Sequence, residues 1–201
     1  SELAYFGAKV LHPSTILPAV DQNIPVRILN SRRPDVEGTR ITASVEAGES
    51  TITAIACKRD VTVVDITSTR MLMAHGFLRR LFEVFERFRT AVDVVTTSEV
   101  SVSVTVDDKR RLDAILDNLR AVAEVSCEAN MAIVSVVGEH LQRDPRVFAR
   151  AVTALDTIPL RLVSQASARR NITFVMRDSD VPQAMNQLHD GFFGPATAGQ
   201  G

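Results

Sequence analysis

Two carboxylates and one glycine carry most of the chemistry this sequence can offer. Asp93 and Glu99 stand in V-D-V-V-T-T-S-E-V-S-V-S-V-T-V-D, Val92 to Asp107, and Gly76 stands in M-L-M-A-H-G-F-L, Met71 to Leu78. Carboxylates suit ammonium groups. A helix opening at Gly76, Phe77 and Leu78 would present unpaired backbone N–H groups and a positive dipole end, which suit a carboxylate. Glycine at that point leaves the backbone open to close approach. These groups describe a pocket that holds a small molecule rather than one that transforms it. His12, His75, His140 and His189 show no H-x-x-x-H pairing, so no metal site is expected. There is no G-x-G-x-x-G, no P-loop and no G-x-S-x-G elbow.

Charge matching narrows the ligand. A free amino acid brings one carboxylate and one ammonium, and lysine brings a second ammonium. Two carboxylates and a helix start balance lysine charge for charge. Threonine would leave one carboxylate under-compensated, at a cost of a few kcal/mol in a partly dry pocket. The match requires both carboxylates to face the ligand. Spacing alone leaves two other readings open: Asp93 as a strand-edge charge facing water, and Glu99 as a turn residue.

The elements that must position these residues follow from hydrophobic period. Val61 to Thr67 is β-rich, and a helix with Leu78, Leu81, Phe82 and Phe85 on one face comes next. Val92 to Thr96 reads as a strand. Val100, Val102, Val104 and Val106 alternate with Ser101, Ser103 and Thr105, the period of a half-buried antiparallel strand. A helix with Leu112, Ile115, Leu116 and Leu119 follows, then a strand over Ala123 to Cys127. The order β-α-β-β-α-β predicts a ferredoxin-like unit.

The pattern returns about 70 residues later. Ala132 to Val137 reads as a strand, and Asp144-Pro145 opens a helix with Val147, Phe148, Ala151, Val152 and Leu155 on its face. Leu160 to Val163 and Ile172 to Met176 pair as strands. Asp180 is expected to cap a last helix carrying Val181, Ala184, Met185 and Leu188. This second copy is one strand short, and Thr53 to Lys58 is one strand to spare. The predicted fold is therefore α+β, two ferredoxin-like units with the first inserted into the second. An unpaired edge would otherwise be an aggregation liability.

Composition excludes several classes. The chain has 201 residues, 45% hydrophobic, with a net charge of −1 and a pI near 6.4. That balance gives no basic face for nucleic acid. No apolar run approaches the roughly 20 residues of a membrane helix, and no signal peptide is visible. Cys57 and Cys127 are expected to be buried reduced thiols of a cytoplasmic protein. The first residue is serine, which suggests a piece of something longer, although removal of an initiator methionine gives the same result.

Longer strings then resemble a known family. F-G-A-K-V-L-H-P at Phe6 to Pro13, I-P-V-R-I-L-N-S at Ile24 to Ser31 and Gly38-Thr39 resemble the end of the kinase domain of aspartate kinases. The two repeats resemble that family's paired ACT domains. T-T-S-E-V-S at Thr96 to Ser101, with M-L-x-x-x-G-F-L, is similar to the lysine-inhibited class. The resemblance spans residues 1–193 and implies a kinase-domain tail at 1–50 and an effector-binding ACT domain at 61–128. It further implies a second ACT domain from 51–60 plus 129–193, and residues 194–201 are expected to be a disordered tail.

What the resemblance implies is the regulatory portion of an enzyme that phosphorylates aspartate with ATP and Mg, first in the route to lysine, threonine and methionine. L-lysine would be its feedback inhibitor, seated where the first ACT units of two subunits meet. The implied partners are a second copy, in a homodimer or larger homo-oligomer, and the kinase domain of the same enzyme. Lys9, by its place in G-A-K-V-L-H-P, is implied to contact nucleotide phosphates. The implied effector contacts are Met71, Gly76, Phe77, Leu78, Asp93, Ser98, Glu99 and Val100. Met73 and Ala74 stand where lysine-sensitive relatives often carry His-Ser, which removes polar side chains from the pocket rim. The family's K-F-G-G-T-type catalytic motif does not occur in these residues, so no catalytic residue or cofactor is expected among them and the fragment alone is expected to be inactive. Ser164 to Arg170 matches the T-T-S-E-V position in the second repeat without its acidic pair, so no lysine site is expected there. The alternative is a stand-alone ACT protein or separate regulatory subunit with threonine as effector. Substituting Asp93 or Glu99 by alanine is expected to abolish lysine binding with the fold intact.

Overall fold

The computed structural model describes Thr15, Pro18, Ala19 and residues 21–33, 35–41, 51–68, 75–139, 141–165 and 171–194. Lys9, Met71, Met73, Ala74, the segment 166–170 and the tail 195–201 lie outside the described residues. Near the start, β1 (Val26–Ile28) pairs antiparallel with β2 (Thr39–Ile41). The two strands form a small hairpin. Gly38 makes that possible. Its φ is 69°, and a Cβ there would stand 2.2 Å from the Ile28 carbonyl oxygen.

The main body begins with β3 (Thr51–Thr67), α1 (Phe77–Arg87), β4 (Val95–Thr97), β5 (Ser101–Val106) and α2 (Leu112–Arg120). It continues through β6 (Glu124–Glu139), α3 (Pro145–Ala154), β7 (Leu162–Gln165), β8 (Asn171–Arg177) and α4 (Val181–Phe193). The six strands from β3 to β8 form one sheet in the order β4–β5–β3–β6–β8–β7, antiparallel throughout. Each half is a ferredoxin-like unit, and the first is inserted into the second. The spare strand expected at Thr53 to Lys58 does complete the second half, with Ala54 opposite Val137 and Cys57 opposite Val134.

One expectation changes. Two pairs of short strands were read, and each pair is one long strand: β3 runs through Arg59-Asp60, and β6 through Glu128-Ala129-Asn130. The polar residues that suggested breaks mark bends instead. Asp60 (φ 60°) and Asn130 (φ 58°) take the left-handed backbone that Asp and Asn tolerate better than most residues. The β3–β6 register also slips between Lys58 and Val61 and again by Val63.

Period places the helices. Leu81 and Phe85 of α1, and Ile115, Leu116 and Leu119 of α2, pack on Val64, Ile66, Val102, Val104 and Val106. Burying one such side chain contributes about 1.5–3 kcal/mol. Phe77 completes this face, whereas Leu78, expected on it, is 40% exposed. Helices α3 and α4 cover Val134, Val136, Ile172, Phe174 and Met176 in the same way. Asp144 caps α3 as expected, accepting from the Arg146 N–H at 3.0 Å, while Asp180 makes no side-chain cap. A short 3-10 turn over Asp178–Asp180 leads into α4 instead.

The faces turned away from the helices are also buried. Val61, Val63, Val94, Met131, Ile133 and Val175 form a third cluster, four of them fully inaccessible. Arg161, just before β7, pairs with Asp65 on β3 and donates to Glu128 on β6 at 3.3 Å. Across a flat sheet β7 and β3 would stand three strand spacings apart, about 14 Å. The sheet is therefore folded over, back face to back face, with helices outside both halves. This explains the nearly unbroken apolar run V-T-V-V at Val61 to Val64, since both of its faces are covered. Both thiols are free, but Cys57 is only half-buried and Cys127 is exposed. Around Cys127 the first half of β6 is largely uncovered, and the helices reach it only near Val125.

Candidate functional site

Antiparallel pairing decides which chemistry-bearing residues meet. β3 ends at Thr67, opposite Ser101, and the Ser68 N–H donates to the Val100 carbonyl at 2.9 Å. Helix α1 starts at this same end, where Phe77 and Ile66 line one pocket, so the Gly76–Leu78 segment and the Ser98–Val100 turn lie at the same end, or corner, of the first unit.

At the corner, Gly76 holds φ 78° and ψ 15° at the N-cap of α1. A Cβ there would meet nothing within 4 Å. Glycine is required here by its left-handed backbone, not by crowding inside the chain. The first intrahelical bond is Arg80 N–H to Gly76 O at 3.2 Å, and no side chain caps the helix. The N–H groups of Phe77, Leu78 and Arg79 therefore lack intrahelical acceptors. Phe77 is 7% exposed and its ring lies in the core, so only its backbone can serve a ligand.

The turn between β4 and β5 is braced by Ser98. Its N–H donates to the Ser101 carbonyl at 2.8 Å, and its Oγ accepts from the Ser101 N–H at 3.1 Å and lies 2.6 Å from the Ser101 Oγ. The Ser98 hydroxyl is thus a turn brace. Glu99 at the tip is exposed, with no ion pair among the described residues. It is a turn residue, as one of the open readings had it.

Asp93 is not at this corner. Its N–H donates to the Thr105 carbonyl at 3.0 Å, at the opposite end of the ribbon. With a rise of about 3.3 Å per residue, roughly 13 Å of strand separates it from Thr97 alone. Within one chain, this topology does not bring both carboxylates to one helix start. Nor does Asp93 face water. Its side chain is 2% exposed, and both of its oxygens accept from Lys58 Nζ, at 3.0 and 2.9 Å. Lys58 also lies 2.6 Å from Asp107 Oδ2. This triad sits where β3 bends between the two halves. Beside it, Arg59 pairs with Asp178 at 2.5 Å, and Lys109 pairs with Asp60. The Arg59 guanidinium holds the Asp178 carboxyl below its ordinary range.

Lys58, Asp107 and Arg161 escaped the sequence reading. Their partners are 33 or more residues away, and no periodicity marks such contacts. Two pockets open at the corner end, on the helix side. One of about 130 Å³ is lined by Ile66, Phe77, Arg80, Leu81, Leu119 and Val122. The other, about 360 Å³, lies between the end of β3 and the α2–β6 connection. Neither is lined by Asp93 or Glu99.

Comparison with known proteins places this architecture. A model of the ACT domain family matches residues 134–192, within the second unit. Aspartokinase 3, chloroplastic, of Arabidopsis thaliana is 39% identical over 204 residues, covering 96% of this chain and 36% of that protein. The structure of E. coli aspartokinase III in complex with lysine and aspartate (T-state) superposes with a TM-score of 0.81 at 33% identity, covering 96% of this chain and 44% of that one. A structure described as a C-terminal regulatory domain of aspartate kinase from Porphyromonas gingivalis W83 is 31% identical with a TM-score of 0.62, covering 70% of this chain and 96% of that one. The chain spans less than half the length of the curated relatives it matches. Two ferredoxin-like units, one inserted in the other, and sequence identity across both establish that this chain belongs to the aspartokinase family and carries its ACT-type regulatory region.

Proposed function

We propose that this chain is the effector-sensing portion of an aspartokinase and that it binds L-lysine at the Gly76–Leu78 and Ser98–Val100 corner of its first ACT unit. The observation that carries the reading is the corner itself: backbone N–H groups without intrahelical acceptors beside a braced turn that presents Glu99 to solvent. The N–H groups suit the ligand carboxylate and Glu99 suits an ammonium. The E. coli relative solved with lysine bound favours lysine over threonine. Met71, expected to line the same corner, completes the contact set.

The second carboxylate comes from a second copy. β4 is one of the sheet's two edge strands, the one that belongs to the first unit, and Val95 on it is 39% exposed. Two-fold pairing of one edge with itself sets the strands antiparallel. Centred on Thr96, such pairing carries Asp93 of one copy toward the Ser98–Val100 turn of the other. Each two-fold dimer then holds two lysines, and both carboxylates reach each ligand. Lysine shifts the kinase only by its difference in affinity for the two dimer arrangements. In the whole enzyme the kinase domain, with ATP, Mg and aspartate, receives that shift, and Lys9 contacts nucleotide there. The 201 residues alone turn over no ATP.

Calorimetric titration of the chain with lysine, threonine and methionine separately, alongside light scattering, tests the reading. Heat with lysine and a dimer in solution are expected. Heat with threonine and none with lysine overturns the effector assignment, and a strict monomer with millimolar lysine overturns the shared site.

A further inference from the structure

The acidic end of the proposed lysine site already holds an ammonium, that of Lys58. We infer that Lys58 is a resident competitor for the effector: it occupies Asp93 in the unliganded chain, and a ligand ammonium must take Asp93 from it. The inference rests on the reading of this region as a lysine site.

Three observations carry it. Asp93 is 2% exposed and gives both carboxylate oxygens to Lys58 Nζ, so its chemistry toward any other cation is already engaged. Asp107 stands 2.6 Å from the same Nζ with its side chain 39% exposed, and so offers Lys58 a second, wetter partner. Lys58 belongs to the bend of β3, where its neighbours are anchored on each side: Arg59 to Asp178 of the second unit, Asp60 to Lys109 of the first. A ligand ammonium and the Lys58 ammonium are the same chemical group. Exchanging one for the other at Asp93 leaves the carboxylate paired and moves Lys58 onto Asp107. No charge is stranded in the dry part of the site, the outcome that makes breaking a buried pair costly. The exchange also transfers the effector's arrival to β3, a strand that both ACT units share, which simple occupation of an empty pocket would not do. Lys58 is thus a specificity-determining residue: it sets a threshold that only a ligand with a well-placed ammonium passes.

The test is calorimetric titration of the native chain, Lys58→Met and Asp107→Asn with L-lysine and with L-norleucine, which lacks the terminal ammonium. Circular dichroism establishes that each variant is folded. Lys58→Met removes the competitor and is expected to bind lysine roughly tenfold more tightly, about 1.4 kcal/mol, with norleucine unchanged. Asp107→Asn removes the alternative resting place and is expected to bind lysine more weakly. Native-like or weaker lysine binding by folded Lys58→Met overturns the competitor role while leaving the lysine site standing. Should Lys58→Met not fold, Asp107→Asn decides alone, and unchanged affinity there overturns the inference. Absence of lysine binding by the native chain overturns the effector reading and this inference with it.

Discussion

Replacing Asp93 by alanine should damage the fold as well as the site. Its carboxylate is 2% exposed and shares two contacts near 3 Å with Lys58, whose side chain is 20% exposed. Removing one partner of a buried pair typically costs about 3–5 kcal/mol, because the other charge is left uncompensated. Here Lys58 keeps Asp107 at 2.6 Å and some contact with water. We therefore place the cost below that range, at about 2–3 kcal/mol, and expect a fall in Tm of roughly 4–12 °C for a domain of this size. Urea unfolding followed by circular dichroism measures it directly, as a lower midpoint at unchanged m value. A double-mutant cycle with Lys58→Met and Asp93→Asn isolates the pair, and its coupling should exceed about 1 kcal/mol. An Asp93→Ala variant within about 0.5 kcal/mol of the native chain, or a cycle with no coupling, would falsify the reasoning. The result also separates Asp93 from Glu99, which the sequence alone treated as equals.

Glu99→Gln should weaken lysine binding by tenfold or more, about 1.4 kcal/mol, since it removes the charge that the proposed site offers an ammonium. Its exposed turn position predicts a melting temperature within about 1 °C of native. Gly76→Ala should cost about 1–2 kcal/mol, from the left-handed backbone alone. Gly76→Asn should recover part of that loss in the same melts, because nothing crowds a side chain there. The Arg59–Asp178 pair gives a pH dependence. Hydrogen bonding to Arg59 lowers the Asp178 carboxyl from its ordinary value of 3.8 in the folded state. A lowered folded value means stability that is present above that ordinary value and lost as pH falls through the folded one. Acid unfolding of Asp178→Asn should accordingly show a shallower loss below about pH 4 than the native chain. Equal slopes for the two proteins would rule the pair out as a contributor.

The local features were legible because their causes are local. The Val102, Val104 and Val106 alternation, the Leu81 and Phe85 stripe of α1, and the Asp144-Pro145 start of α3 each follow from a repeat or a cap within a few residues. Even the insertion of one unit in the other could be inferred from a spare strand and a missing one. Leu78 and Phe77 exchanged roles, because the turn at Gly76 sets the phase of the helix face and a sequence pattern leaves that phase open by one residue.

What chain order left open was the pairing of charged side chains 33 or more residues apart. Residue types identified Asp93 as a group that wants an ammonium, but its neighbour is fixed by the pairing of β4, β5 and β3, which brings Lys58 and Asp107 to it. The bends at Asp60 and Asn130 likewise fold the sheet onto itself and let Arg161 reach Asp65. Sequence determined which charges and faces exist; tertiary structure decided which of them meet. Periodicity is a property of successive residues, whereas a salt bridge between distant strands depends on register and on the fold of the whole sheet.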